Sequence, residues 1–332
     1  EIFRQAQDGP QTRTRTRVVK SSARPQDSGM RLDHLLGVRY PYHSRSRWQE
    51  LIRGGMVFLN GRKAKPSNCV SPGDEISYLA EIREPQVDDG VRIIFEDDDL
   101  LVVDKPGNLP CHPAGPFFFN TLWHILLSHS PKVLLVNRID RETSGIVLAA
   151  KNRSSASEMS DLFSSSGGGR TRKEYLAVVH GAFPQKMRCE GLLLPDGSCE
   201  IRKKRVFVPI DGRWKSRRFA AGGEYALTDF ELVAYGGGLS VVRALPSTGR
   251  LHQIRATLHS IGFPILGDKL YGTDPSIYLR FVKGVMTDDD IQSLALGRQA
   301  LHAMSLSFVR PSTGRPMNFL APVPQDMDAI IQ

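Results

Sequence analysis

Beyond residue 91, short β-rich apolar runs outnumber helical stretches and do not alternate with them one for one. VRIIFE, LLVVDKP, EYLAVVHG, EYALTDFELVA and LSVVRALP are set apart by turn residues, whereas helix-like patterning is confined to TLWHILLSH, SSASEMSDLF and the neighbourhood of HQIRATLHSIG. A doubly wound parallel sheet needs a helix at nearly every crossover. The pattern therefore predicts an α+β domain over residues 92–332, built on a mixed, mainly antiparallel sheet. A serine is expected to cap SSASEMSDLF, and Thr248 the helix around HQIR.

The first 91 residues have a different character. Residues 1–28 are polar and carry TRTRTR, which reads as a solvated basic tail. Residues 29–80 form a compact module. RLDHLLGVR is a short helix stopped by Pro41, and Ser44 caps a second, SRSRWQELIRGG, in which Trp48, Leu51 and Ile52 share one face and Arg45, Arg47 and Arg53 lie away from it. Asn60-Gly61 marks a hairpin, because both positions accept positive φ. The acidic stretch EIREPQVDDG, residues 81–90, places the linker between the two parts at 81–91. The order RLD, SRSR, V-x-x-NG, PS, V-x-PGD-x-I over residues 31–76 resembles an S4 RNA-binding domain. On that resemblance, Arg45, Arg47 and Lys63 are expected to contact phosphates from the basic helix face and the hairpin.

A chain of 332 residues accommodates these two parts, and its formal net charge of +9 favours a polyanionic partner. No apolar run approaches the roughly 18–20 residues of a membrane helix, and no signal-peptide core is present. Cys69, Cys111, Cys189 and Cys199 have neither CxxC nor zinc-finger spacing, so neither a metal site nor a disulfide framework is indicated. Reduced thiols, a cytoplasmic location and a monomer are the expectations, with no cofactor.

The stretch NRIDRETSG, residues 137–145, lies between the apolar runs VLLV and IVLAA. Its residues suit an ordinary turn. Yet Asp140 is flanked by Arg138 and Arg141, and a carboxylate near a guanidinium stays ionised, as a nucleophile or base must be. Elsewhere, alternation in KEYLAVVHG makes Tyr175 a core aromatic. In HQIRATLHSIG, Ile254, Leu258 and Ile261 form an apolar helix face, leaving Arg255, His252 and His259 on a polar one that solvation alone would explain. The stretch ALHAMSLSFVRPSTG shows no chemistry of its own.

Taken together, NRIDRETSG, KEYLAVVHG and TGRLHQIRATLHSIGFPILGDKLYG, with VVDKPGNLP before them and LHAMSLSFVRPSTGRPMNFLAPVP after, resemble the RluA family of RNA pseudouridine synthases. The resemblance runs from about residue 92 to the end. It implies that Asp140 initiates cleavage of the uridine C1′–N1 bond, that Tyr175 packs on the target uracil, that Arg255 pairs with Asp140, and that Arg138 enters the RNA where the nucleotide has flipped out. Members with an S4 domain imply 23S-type ribosomal RNA, or the assembling large subunit, as partner. Asn137 departs from the family's histidine, which puts the local RNA contact in question. The competing readings are a noncatalytic RNA-binding or assembly factor, a synthase acting on tRNA, and a glycoside hydrolase. The last needs two facing carboxylates, and only Glu142 is near.

Overall fold

The computed structural model describes residues 13–163, 171–210 and 222–331. The chain divides into two compact units, Glu1–Gln86 and Val87–Gln332. All four cysteines are free. Among the described residues no helix is long and apolar enough to cross a membrane.

The first unit comprises β1 (Arg13–Ser22), α1 (Leu32–Arg39), α2 (Arg45–Arg53), β2 (Val57–Leu59), β3 (Arg62–Lys63) and β4 (Glu75–Glu84). Its sheet is antiparallel throughout, in the order β1-β4-β2-β3. The Ser44 hydroxyl caps α2 by accepting the Arg47 N–H. Trp48 and Ile52 are buried against Leu32, Leu35, Leu36, Val57 and Ile76. Asn60 and Gly61 take φ of 50° and 74°, as the hairpin requires, and the Asn60 side chain ties the turn to Asp74 and Glu75.

Two boundaries differ from the sequence expectation. Residues 13–22 are a strand rather than a tail, pairing along their whole length from Arg13 opposite Glu84 to Ser22 opposite Glu75; residues 1–12 lie outside the described residues. The alternation of β-branched threonine with arginine is itself a strand pattern. Val18 is 53% exposed, so no apolar signal announces it, and the exposed Arg17 and Lys20 suit a sheet edge. The linker is also shorter than 81–91, because β4 continues to Glu84.

The second unit contains β5 (Arg92–Glu96), β6 (Leu100–Lys105), α3 (Leu122–His129), β7 (Leu134–Leu135), β8 (Ser144–Ala150), α4 (Arg153–Phe163), β9 (Thr171–His180), β10 (Lys186–Pro195), β11 (Arg205–Pro209), β12 (Glu224–Gly236), β13 (Leu239–Pro246), α5 (Gln253–Ser260), α6 (Ser276–Lys283), α7 (Asp288–Leu294), β14 (Leu301–Val309), β15 (Pro316–Leu320) and α8 (Gln325–Ile331). One sheet runs in the order β11-β10-β12-β13-β9-β14-β8-β6-β5, with β15 added to β14 and β7 to β8. Only β14 and β8 pair in parallel among the described residues, so the sheet is mixed and mainly antiparallel as expected. Leu100 and Val102 pack on one face of β6 while Leu101 and Val103 pack on the other. A strand covered on both faces reads as an unbroken apolar run, which is how β6 and β8 appear in the sequence.

Here too some local expectations give way. Asn152, not a serine, caps α4, accepting the Ser155 N–H at 2.9 Å. The residue before α5 is His252, in the left-handed region at φ 56°. Thr248 instead accepts the Leu227 N–H and donates to Gln253. Nor is α5 amphipathic in place: residues 253–258 are buried all round. The helices α6, α7 and α8 lie within the part of the chain read as mainly strand with one helix. Each is short, and Ile277, Tyr278 and Phe281 in α6 favour strands by propensity.

Candidate active site

Asp140 lies in the loop between β7 and β8. That loop has no ladder of its own, so distant side chains satisfy its polar groups. Near its start it is fastened by the Asn137 side-chain carbonyl, which accepts the Leu148 N–H at 2.7 Å. The Arg141 carbonyl accepts the Leu109 N–H at 3.0 Å and the Lys105 ammonium at 3.1 Å. The Glu142 carboxylate accepts from Lys269 at 2.6 Å, its carbonyl from Arg298 at 3.3 Å, and the Thr143 hydroxyl from the Gln299 amide at 2.5 Å. Gly145 closes the loop at φ 110°, where a Cβ would sit 2.2 Å from the Ala303 carbonyl oxygen of β14. Only glycine allows β8 so close an approach.

The loop presents Asp140 to Arg255, whose Nη1 donates to Oδ2 at 2.6 Å. On its other side the same guanidinium donates through Nε and Nη2 to Asp268, at 2.7 and 2.8 Å. Asp268 is fully buried, and its Oδ1 also accepts the backbone N–H groups of Leu270 and Tyr271. Arg255 is thus fixed by one buried carboxylate and offers its remaining edge to another that stays 28% exposed. Burial pushes the Asp140 carboxyl up, but the Arg255 charge, helped by its hydrogen bond, outweighs that and holds it below the usual carboxylate range. For Asp268 the balance is the same. Asp140 is therefore a partly accessible, ionised carboxylate.

Tyr175 stands on β9 opposite Ala244 of β13 and Ala303 of β14. These small neighbours leave its ring half-exposed along a cleft of about 520 Å³ that Asp140, Arg255 and Arg138 also line. Alternation marked Tyr175 as a core aromatic; it does pack against the core, and its ring also borders the cleft. Burial first, and the Asp140 charge second, push its phenol up to about 12, so it keeps its proton at neutral pH. His252 borders the same cleft, bonded through Nδ1 to the Tyr271 hydroxyl at 3.0 Å. Burial pushes its imidazole down to about 4, leaving it neutral. Arg138 is exposed at the cleft mouth.

The structure thus brings Asp140, Tyr175, Arg255 and Arg138 together. Sequence reasoning missed Asp268, Lys269, Lys105, Arg298 and Gln299, which hold the set in place. Asp268 and Lys269, adjacent charges directly after the apolar PILG, were the visible hint.

In the first unit, Arg45 and Arg47 share the first turn of α2, but Lys63 packs beside Gly55 past the helix's far end, roughly 12 Å along the axis. The three do not form one cluster. Arg45, with Arg31 and Gln49, donates to the buried Asp33, whose carboxyl those bonds hold at about 2 against the opposing effect of burial. Arg47 pairs with the exposed Glu50 at 2.8 Å. Lys63 is exposed and has no carboxylate partner among the described residues.

An RNA pseudouridylate synthase profile matches residues 99–260, and an S4 domain profile residues 30–76. The chain is 31% identical over 332 residues to ribosomal large subunit pseudouridine synthase D of Xanthomonas campestris pv. campestris, covering 96% of this chain and 91% of that one. It is 32% identical over 246 residues to the mitochondrial tRNA pseudouridine(32) synthase of Saccharomyces cerevisiae, covering 74% of this chain and 51% of that protein. The structure of human RNA pseudouridylate synthase domain containing 1 superposes with a TM-score of 0.54 at 21% identity, over 75% of this chain and 96% of that one, a likeness of fold. The chain therefore belongs to the RNA pseudouridine synthase family, isomerases that act on RNA, and carries an S4 domain ahead of its synthase domain.

Proposed function

We propose that this chain converts specific uridines of large-subunit ribosomal RNA to pseudouridine, with Asp140 starting the reaction. The observation that carries the reading is the Asp140–Arg255–Asp268 line, which holds an ionised carboxylate at the edge of the cleft flanked by Tyr175. The target uridine leaves its stack, at a cost of a few kcal/mol that Arg138 offsets by filling the gap. Asp140 then acts either by attack at C1′ or by taking a sugar proton. The C1′–N1 bond breaks, the uracil turns over against Tyr175, C1′ bonds to C5, the C5 proton leaves and N1 gains one. The protonated phenol of Tyr175 fits a packing surface better than a base.

Large-subunit rRNA is favoured by the S4 domain and by similarity to the Xanthomonas enzyme over nearly the whole chain; tRNA is the second reading, favoured by similarity to the yeast one. The proposal includes action as a monomer in the cytoplasm. Glycoside hydrolysis is disfavoured because Glu142 is engaged with Lys269 and only 13% exposed, so it is not a free general acid. The test is to incubate the protein with rRNA and tRNA transcripts and map pseudouridine by carbodiimide-blocked primer extension. New sites in rRNA that vanish with Asp140→Asn are expected. Unchanged modification by that variant refutes the role of Asp140, and no modification of any RNA leaves the noncatalytic factor as the better account.

A further inference from the structure

A second cleft, of about 770 Å³, adjoins the first, sharing Arg138 and Tyr175 with it, and is bordered also by Asn137, Phe163, Lys173 and His112. Lys173 and Tyr175 are two residues apart on β9, so they project from the same face roughly 6.6 Å apart along the strand. The Lys173 ammonium lies 4.7 Å from the centre of the Phe163 ring. It has no hydrogen-bond acceptor and no carboxylate partner among the described residues. That sets it apart from the other half-buried and buried cations nearby. Lys105 donates to two carbonyls, Lys269 to Glu142, Arg298 to Asp326 and Arg255 to two aspartates. A cation taken partly out of water without an anion is costly, and burial indeed depresses the Lys173 pKa.

Two further donors border the same space. Asn137 spends its side-chain oxygen on the Leu148 N–H, and its amide nitrogen has no partner among the described residues. Arg138 is exposed and likewise makes no hydrogen bond or ion pair with them. An ammonium, an amide and a guanidinium without acceptors, beside an aromatic ring, describe a site for an anionic, ring-bearing ligand. Its wall is continuous with the site proposed for the uracil.

We propose that this second cleft binds the nucleotide adjoining the target uridine, with Lys173 receiving its phosphate and the Asn137 amide hydrogen-bonding its base. The inference rests on the reading that the target uridine docks between Asp140 and Tyr175. The Asn137 side chain then acts at both ends, its oxygen fastening the loop and its nitrogen selecting among flanking bases.

The experiment uses the full chain and a short RNA oligonucleotide spanning the mapped uridine, or a large-subunit rRNA fragment if no uridine is mapped. Lys173→Met keeps the apolar stem against Phe163. It should weaken RNA binding about 10- to 100-fold, as expected for loss of one hydrogen bond to a charged group, with kcat little changed. The salt slope of log Kd should fall by about 0.7, one single-stranded phosphate. Lys173→Arg should restore most of the affinity. With the wild-type protein, a methylphosphonate placed at each phosphate in turn should cost affinity at one position beside the target, and that cost should disappear in Lys173→Met. This second arm needs no stable variant for its first half. Binding by Lys173→Met within twofold of wild type with an unchanged salt slope, or no sensitive phosphate beside the target, overturns the proposal. Repeating the binding measurements in Asp140→Asn separates the two readings: a Lys173 effect that persists there supports the subsite even if no RNA is isomerised.

Discussion

Replacing Arg255 by lysine keeps the positive charge and removes the geometry. The guanidinium makes three charge-assisted hydrogen bonds, at 2.6 Å to Asp140 and at 2.7 and 2.8 Å to Asp268. An ammonium is a point charge and does not bridge two carboxylates held on opposite edges of a planar fork. At least one such bond is lost and a second weakened, and at about 1.5–3 kcal/mol each the loss is about 3 kcal/mol. For a unit of this size that lowers Tm by about 6–12 °C. The pH dependence has a definite sign. Asp140 and Asp268 both titrate below the usual carboxylate range in the folded protein, so their contribution is present at neutral pH and is lost as pH falls through those depressed values. Arg255→Lys depresses them less, so acid unfolding and the acid limb of isomerisation both move to higher pH. Urea titrations at pH 7 and at about pH 3, below the ordinary carboxylate value, with pseudouridine formation measured down its acid limb, test this. A variant within about 0.5 kcal/mol of wild type, or an unmoved acid limb, would refute the claim that Arg255 sets the ionisation and position of Asp140.

Three further outcomes follow from the same contacts. Gly145→Ala places a Cβ 2.2 Å from the Ala303 carbonyl at a φ of 110°; a loss of about 3 kcal/mol or more is expected in urea titration, and a loss under 1 would show that β8 and β14 separate easily. Lys269→Met leaves Glu142 without its 2.6 Å partner, which should cost about 3–5 kcal/mol and lower kcat by loosening the Asp140 loop, as read by calorimetry and single-turnover kinetics. Arg47→Gln and Lys63→Gln should each reduce the salt slope of RNA binding by about 0.7–0.9. The exposed Arg47–Glu50 pair is worth only about 0.2–1 kcal/mol and does not compete with a phosphate; unchanged slopes would remove these residues from the RNA surface.

What the sequence disclosed depended on how local the cause was. The capped helix with its Gly-Gly stop and the Asn60-Gly61 hairpin are set by neighbours within a few residues, and they stand where the pattern put them. The apolar runs of β6 and β8 declare strands covered on both faces. TRTRTR misled because an edge strand shows its identity only through its partner. The acidic β4 that receives it begins about sixty residues later in the chain. The cap of α5 misled for a similar reason, since Thr248 finds a better acceptor and donor pairing with Leu227 and Gln253 than with the helix end.

Within NRIDRETSG, the motif marked Asp140 and Arg138, while Arg141 and Glu142 passed for turn residues. They do turn the chain, but their carbonyls and carboxylate are also what Lys105, Lys269 and Arg298 grip. No local pattern reveals those grips, because the Lys269 and Arg298 contacts span 127 and 156 residues. Nor is burying such cations free of cost, as the Lys105 ammonium, pushed down to about 8 chiefly by burial, makes plain. A loop without strand pairing would otherwise leave its polar groups unsatisfied and Asp140 free to wander. In the proposed role, Asp140 has to be held to within about 0.5 Å of its reacting position. The buried cations convert an irregular loop into a rigid mount, and it is this rigidity that lets Arg255 act on Asp140 from a fixed direction.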